Sequence, residues 1–523
     1  MTTWFVRPDT SHNVTRDGTS YSTAWGGWAS VVWGVSGVSL GDTLKVCGTF
    51  SSTTALSLGA HLATSEATRV TIRGDAVEES GAFIFTGTGY LNSTRIYTSF
   101  VGLTITGTAG FNCILNAATS GVVIEDCELI GGTNGVSLNN STVFTSVLIR
   151  NNYIHDQLVY GINHTVGTAS IAPGGVVITG NRIVNSGHGV HAEMNSTNDA
   201  WTTSRFAGYK ISGNTISDCV GSPIYIRSCN NDQVTDAAIY STEVEISGNT
   251  IVRCGTPPSA SSTHGGILVM GCASAFIFGN VVRDCYVTGA GIQTAKNQAP
   301  IIYSNTISGI RAGTPTGSFK NGFAIDGNGI FFDIFTRGGL AFGNHISDLI
   351  STGNVASGVG LSFWNAASAR FIGNVVENCA CGASYGNALE TGNIVYHNTF
   401  INCTEGVYKV GADALAGNLT AKNNILKNCA TGFLIGANPS ITADYNCVHG
   451  STTPYSGIAA GSNDSAVDPQ LDTAYRPATA TAGTYLGGID YNGKEFGPSP
   501  SMGAVGVTIP RTTTTRQATR RGA

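Results

Sequence analysis

The chain reads as an all-β solenoid, a stack of short coils, and three observations carry that reading. The first is a recurring phrase of alternating apolar residues that ends in Gly-Asn, Asn-Asn or a close variant. It appears as VVITGNRI from Val176, YKISGNTI from Tyr209, VEISGNTI from Val244, AFIFGNVV from Ala275 and ARFIGNVV from Ala369. Marked at Asp126 and then at Asn152, Asn181, Asn214, Asn249, Asn280, Asn305, Asn344, Asn374, Asn398, Asn424 and Asn446, the copies lie 22 to 39 residues apart. That spacing is a solenoid period with insertions of variable length. Second, the apolar residues of each copy alternate with period two, which places them on short strands. Third, only 11% of residues are charged and 69 of 523 are glycine. Such a composition suits tight corners and uncharged polar ladders better than an ordinary globular surface.

The repeated phrase resembles the coil motif of the right-handed parallel β-helix, here over about 13 coils in residues 61–450. The marker Asn is expected at the turn, in the left-handed conformation that Asn tolerates. Stacked about 4.8 Å apart, its side chains would form an amide ladder.

Both ends depart from the repeat. Residues 1–60 hold Trp4, Trp25, Trp28 and Trp33 in a Gly- and Ser-rich setting, and are read as an N-terminal cap over the open end of the stack. Residues 451–510, with DPQL from Asp468 and DYNGKEFGPSPSMGAVG from Asp490, are read as the C-terminal capping segment. Residues 511–523 form a basic tail with four arginines and no acid, a solvated tail or an arm toward a neighbouring subunit.

Among the thirteen cysteines, Cys219, Cys254, Cys285, Cys379, Cys403 and Cys429 each follow a marker Asn by five residues. One equivalent inward position explains all six as small apolar groups. The Cys379–Cys381 pair lacks the second half of a zinc motif, so neither metal nor cofactor is expected. A net charge of −5 gives no footprint for nucleic acid, and no apolar stretch is long enough to cross a bilayer. The opening MTTWFVRPDTSHN lacks the basic start and apolar core of an export signal. Synthesis and folding in a cytoplasm are therefore expected.

Function must come from a surface, because this fold hosts lyases, hydrolases, adhesins and fibres alike. The most regular surface is the strand of each coil that opens with Gly. By alternation, GVHAE from Gly189 turns His191 and Glu193 outward, and PIYIR from Pro223 turns out Tyr225 and Arg227. The following coils would expose Leu268 and Met270, then Gln293, then Phe331 and Asp333, then Ser362 and Trp364, then Glu390. His191, Glu193, Tyr225, Arg227, Asp333 and Glu390 are the candidate catalytic residues. Gln293, Phe331 and Trp364 are the candidate substrate-binding residues, since sugars stack on aromatic faces and hydrogen-bond through their hydroxyls.

Two chemistries fit this stripe. Glycoside hydrolysis needs two carboxylates about 5 Å or about 6.5–9.5 Å apart. Glu193 and Asp333 lie four coils apart, roughly 19 Å, whereas Asp333 and Glu390 lie two coils apart, roughly 10 Å, with Asp326 a possible substitute. Elimination from a uronate polymer needs a base, an acid and a cation, and His191, Tyr225 and Arg227 supply these types. Against both stands a plain reading in which Glu193 and Arg227 form an ordinary cross-strand ion pair. A further reading takes the exposed apolar residues, Leu434 included, as a subunit interface.

The WFVRPD opening, the GTS..TAW phrase, the dozen coils and the closing segment together resemble phage tailspike and tail-fibre proteins. The resemblance implies a homotrimeric virion protein that binds, and in many cases depolymerises, host cell-surface polysaccharide, with other virion proteins as partners. The alternative is a non-catalytic adhesin or structural spike.

Overall fold

The computed structural model describes residues 1–8, 16–74, 77, 79–87, 89–108, 114–116, 120–140, 146–166, 175–194, 208–227, 241–255, 265–312, 327–333, 335–350, 358–386, 391–409, 418–436, 440–478, 490, 492, 494–495 and 501–505. Each coil contributes three short strands, one to each of three faces. The coil around Asn214 supplies Tyr209–Ser212, Thr215–Ser217 and Ile224–Arg227. The first face is a sheet of 17 strands, and the second and third are sheets of 15 strands each. Neighbouring coils pair in parallel and in register, as with Ile178, Ile211 and Ile246 on the first face. The chain is a right-handed parallel β-helix, as expected. The Gly-opening strand is the third of each coil.

The interior is one continuous apolar column that runs from Val6 to Val448 and is filled mainly by Ile, Val, Leu and Phe. Beside it runs the amide ladder. Eleven asparagines, Asn152 to Asn446, are almost wholly buried. Each of the first ten donates its side-chain N–H to the Oδ1 of the next at 2.8–3.2 Å. The same Oδ1 accepts a backbone N–H from the coil before, as Asn249 does from Asn214 at 3.0 Å. The polar groups of each corner are thereby satisfied inside the protein.

Two details of the expected turn are corrected. The left-handed residues flank the marker Asn, one before it and one four after it, as Gly213 (φ 64°) and Asp218 (φ 58°) flank Asn214. Asn itself is spent on the ladder. The mark at Asp126 is also one residue early: Asp126 holds the left-handed position (φ 54°), and Cys127 takes the ladder place, its N–H donating to Asn152 Oδ1 at 2.9 Å.

The cysteine row lies where expected, and the eleven described cysteines are all buried. In the coils of Asn152 and Asn181 the same inward place holds Gln157 and Ser186, hydrogen-bonded to each other at 3.1 Å.

At the amino-terminal end Trp28 stands edge-on to Phe50 and Phe83, at 6.2 and 5.4 Å, and closes the column. Trp4 stacks on Trp25 at 5.2 Å. Coil strands begin at Thr43–Val46, inside the segment read as cap, and Thr453–Ser456 extends the third face past residue 450. At the other end Asp464 Oδ1 accepts the Asn446 backbone N–H at 2.7 Å and terminates the ladder. The chain then folds back along the second face. Leu471 and Met502 pack with outward-facing Ile425 and Cys447, and Tyr475, Ala504 and Val505 pack with Val375. The Tyr475 hydroxyl stands 3.0 Å from Glu377 Oε1 and 3.2 Å from His345 Nε2, strapping two coils together.

Candidate functional site

The third face brings His191, Glu193, Tyr225 and Arg227 together. His191 pairs in register with Tyr225, and Glu193 with Arg227, because the strands His188–Met194 and Ile224–Arg227 are parallel neighbours. Arg227 Nη1 reaches Glu193 Oε1 at 3.2 Å and the Tyr225 hydroxyl at 3.4 Å. His191 Nε2 lies 3.5 Å from Glu193 Oε2, and its Nδ1 is 3.2 Å from Asn163 Oδ1 on the preceding coil.

The rings form a column along the axis. Tyr160, His191 and Tyr225 stack at 4.3 and 4.9 Å, and His188 joins from the side, 5.3 Å from Tyr160 and 6.1 Å from His191. Stacking turns ring faces toward each other and ring edges toward solvent, so the inner faces are closed to a sugar. It also buries His191, which is 7% exposed. Burial, aided by the nearby His188 and Arg227 charges, holds its imidazole down at about 4. Burial first, then Glu193 and Tyr225, raises the Tyr160 phenol.

Beside this column, at the corner between the second and third faces, lies an open groove of about 430 Å³. Its walls include Asp156 and Leu158 on one coil, Asn185 and His188 on the next, and Val220 and Gly221 on a third. Leu158 and Val220 are exposed apolar side chains, 61% and 49% accessible. The Asp156 carboxylate is held below its ordinary range by hydrogen bonds from His155 and Asn185. Gly221 makes room for His188, since a Cβ there would sit 2.3 Å from the imidazole.

The remainder of the expected stripe is corrected. Leu268, Phe331 and Trp364 are 2%, 2% and 5% exposed, so they are not an open apolar surface. Phe331 and Trp364 cluster with Ala290, and the indole lies over Gly386, where a Cβ would approach to 2.3 Å. Gln293 is also buried and donates to Asp333 Oδ2 at 3.0 Å. Leu268, Phe331 and Trp364 therefore offer no open apolar surface to a neighbouring subunit, while Met270 and Leu434 are half-buried.

Glu193 and Asp333 are four coils apart in register, as expected. Glu390 and Asp326 lie outside the described residues. The described third-face strand of that coil is Cys381–Gly386, which turns Ser384 outward.

Tyr160, Asn163 and His188 escaped the sequence reading. Tyr160 and His188 precede the strand-opening glycines Gly161 and Gly189, and they pair in register. Starting the count one residue before glycine exposes them.

A protein-family model described as periplasmic copper-binding protein (NosD) matches residues 208–413. Comparison with curated protein sequences gives no match. Among solved structures, the catalytic unit of a GH87 α-1,3-glucanase from Streptomyces thermodiastaticus is 14% identical, with 77% of this chain and 64% of that one covered and a TM-score of 0.41. The PL6 family alginate lyase AlyGC is 12% identical, with 84% and 53% covered and a TM-score of 0.42. Tailspike protein 3 of bacteriophage CBA120 is 10% identical, with 88% and 62% covered and a TM-score of 0.29. The chain thus spans between about half and two thirds of the length of these three structures. For copper, the described residues hold no group of three or more His, Cys, Asp or Glu able to bind an ion. Among the matched cysteines, Cys254, Cys285 and Cys379 are buried with thiols raised by their surroundings, which does not suit them as copper ligands.

Proposed function

We propose that the protein recognises a host cell-surface polysaccharide as part of a phage spike or tail fibre, and that the corner groove bearing Asp156, Asn185 and His188 is where the glycan lies. One observation carries the reading: an open groove that crosses three coils pairs hydrogen-bonding side chains with the exposed Leu158 and Val220. Three coils span about 10 Å along the axis, which suits an extended oligosaccharide. Polar groups that fix orientation beside apolar contacts are the ordinary composition of a sugar site. The reading rests on this groove and not on the likeness to polysaccharide-acting β-helices.

Binding without cleavage is the first form of the proposal. Glu193 and Arg227 neutralise each other, which leaves the cluster without the spare cation that elimination from a uronate requires. Depolymerisation is the second form, favoured by one arrangement: the His191 imidazole, held below its ordinary range by burial, stands 3.5 Å from the Glu193 carboxylate, and these are group types that general acid–base chemistry uses.

Incubation with bacterial capsule or lipopolysaccharide separates these readings. Retention of intact glycan supports the adhesin. Shortened chains absorbing near 235 nm show a lyase, and new reducing ends without that band show a hydrolase. Absence of binding to any host glycan overturns the proposal. Gly221→Ala, which displaces His188, is expected to weaken retention while leaving the fold intact.

A further inference from the structure

The outer side of the first face carries two parallel rows of side chains. Glu245, Phe276, Ile301, Leu340 and Arg370 follow one another on five successive coils. Ser247, Phe278, Tyr303, Phe342 and Ile372 run beside them. Three apolar coils in the middle therefore lie between two charged ones, about 19 Å from end to end. The described part of the carboxy-terminal strap packs on the second face, and the apolar side chains of these two rows are half-buried apart from Ile372, which is buried.

The patch is a poor sugar platform. The rings of Phe278, Tyr303 and Phe342 lie 4.8 and 5.1 Å apart with planes within 9° and 4°, so they present edges outward. A flat apolar surface of this kind on a stacked sheet suits a second sheet at about 10 Å.

The charges identify the partner. Glu245 and Arg370 stand at equal distances on either side of Ile301 in the same row. A two-fold axis lying in the interface over Ile301, parallel to the strands, turns a second copy face to face with the first and sets Glu245 of each copy against Arg370 of the other. The same axis brings Phe276 to Leu340 and Phe278 to Phe342. Self-complementarity of this form is what an isologous contact requires, and a foreign partner would not demand it. Lys210 holds the Glu245 carboxylate on the outer side at 2.9 Å. Arg370 is exposed, and among the described residues it forms no ion pair.

We propose that the first face is the interface of an antiparallel homodimer centred on Ile301. The corner groove between the second and third faces lies away from this interface, so a dimer carries two copies of it and gains avidity on a repetitive polymer.

Sedimentation of the full chain tests this. The wild type is expected at twice the 54.0 kDa chain mass. Arg370→Glu and Glu245→Arg, each alone, set like charges together and should weaken the dimer by about tenfold or more. The double exchange should restore it. Ile301→Cys, on the axis, should link one copy to the other through a short bis-maleimide. A wild-type monomer or trimer overturns the proposal. So does a double exchange that is folded by circular dichroism yet stays monomeric, or an Ile301→Cys that fails to cross-link.

Discussion

The guanidinium of Arg227 stands 3.2 Å from the carboxylate of Glu193 on the neighbouring coil, and both side chains are about a quarter exposed, 26% and 27%. An ion pair so placed contributes less than about 1 kcal/mol to stability. It also acts on His191, whose imidazole is held down at about 4 by burial first, then by His188 and Arg227. Arg227→Met should therefore raise the His191 titration only slightly above about 4, since the burial remains, followed by NMR of the imidazole Cε1–H, with little change in melting temperature.

Acid should destabilise the fold through its buried histidines. His164, His191 and His397 are held down by burial to about 3, 4 and 4, against 6.5 for an exposed imidazole. A base whose folded-state value is depressed binds its proton more readily in the unfolded chain. Its stability contribution is complete above pH 6.5 and is lost as pH falls through 6.5 toward 4. Melting temperature should drop steadily across that window, and His164→Phe should flatten the slope. For fully buried His164 the expected loss is on the order of 1 kcal/mol per pH unit.

Asn249 lies in the middle of the amide ladder and is fully buried. Its side-chain N–H groups reach Ile211 O, Ser247 O and Asn280 Oδ1, while its Oδ1 accepts from Asn214. Asn249→Ala strands several of these partners at once. At about 1–3 kcal/mol for each buried group left unpaired, a loss of at least about 3 kcal/mol is expected in urea unfolding. Thr250→Ala on the neighbouring half-exposed site serves as the control and should cost less than about 1 kcal/mol.

The eleven described cysteines should be silent toward Ellman's reagent in the native protein and reactive after denaturation. Burial raises thiols such as Cys127 and Cys379 to about 12, which removes the reactive thiolate at neutral pH. Rapid native labelling of Cys219, Cys254 or Cys285, located by mass spectrometry, would contradict the packed row.

The architecture was legible because one residue type does one job in every coil. Asn214 and Asn249 make the same contacts, so their recurrence in the sequence is a direct image of the stack. The inward cysteines followed by counting. What alternation could not show is the space above an outward side chain. It turned Phe331 and Trp364 outward correctly, yet both are covered within the chain. Nor does it report the plane of a ring, which is why Tyr160, His191 and Tyr225 read as sugar-stacking faces and form a column of edges. Contacts across long stretches of sequence were also invisible: Tyr475 meets His345 from 130 residues away. Asp126 misled by one residue because an acid occupies the left-handed place that glycine or asparagine fills in most other coils.

The ladder gives the protein an electrical direction. In each ladder asparagine one side-chain N–H donates toward the Asp464 end and the Oδ1 accepts from the Cys127 end, so the small amide moments add along the axis as peptide moments add in a helix. The carboxylate of Asp464 sits at the positive pole, where an anion is favoured. Its two ends are therefore unequal to any ion that approaches. Two such columns laid side by side in opposite directions cancel each other's field, a gain open to an antiparallel pair and denied to a parallel bundle.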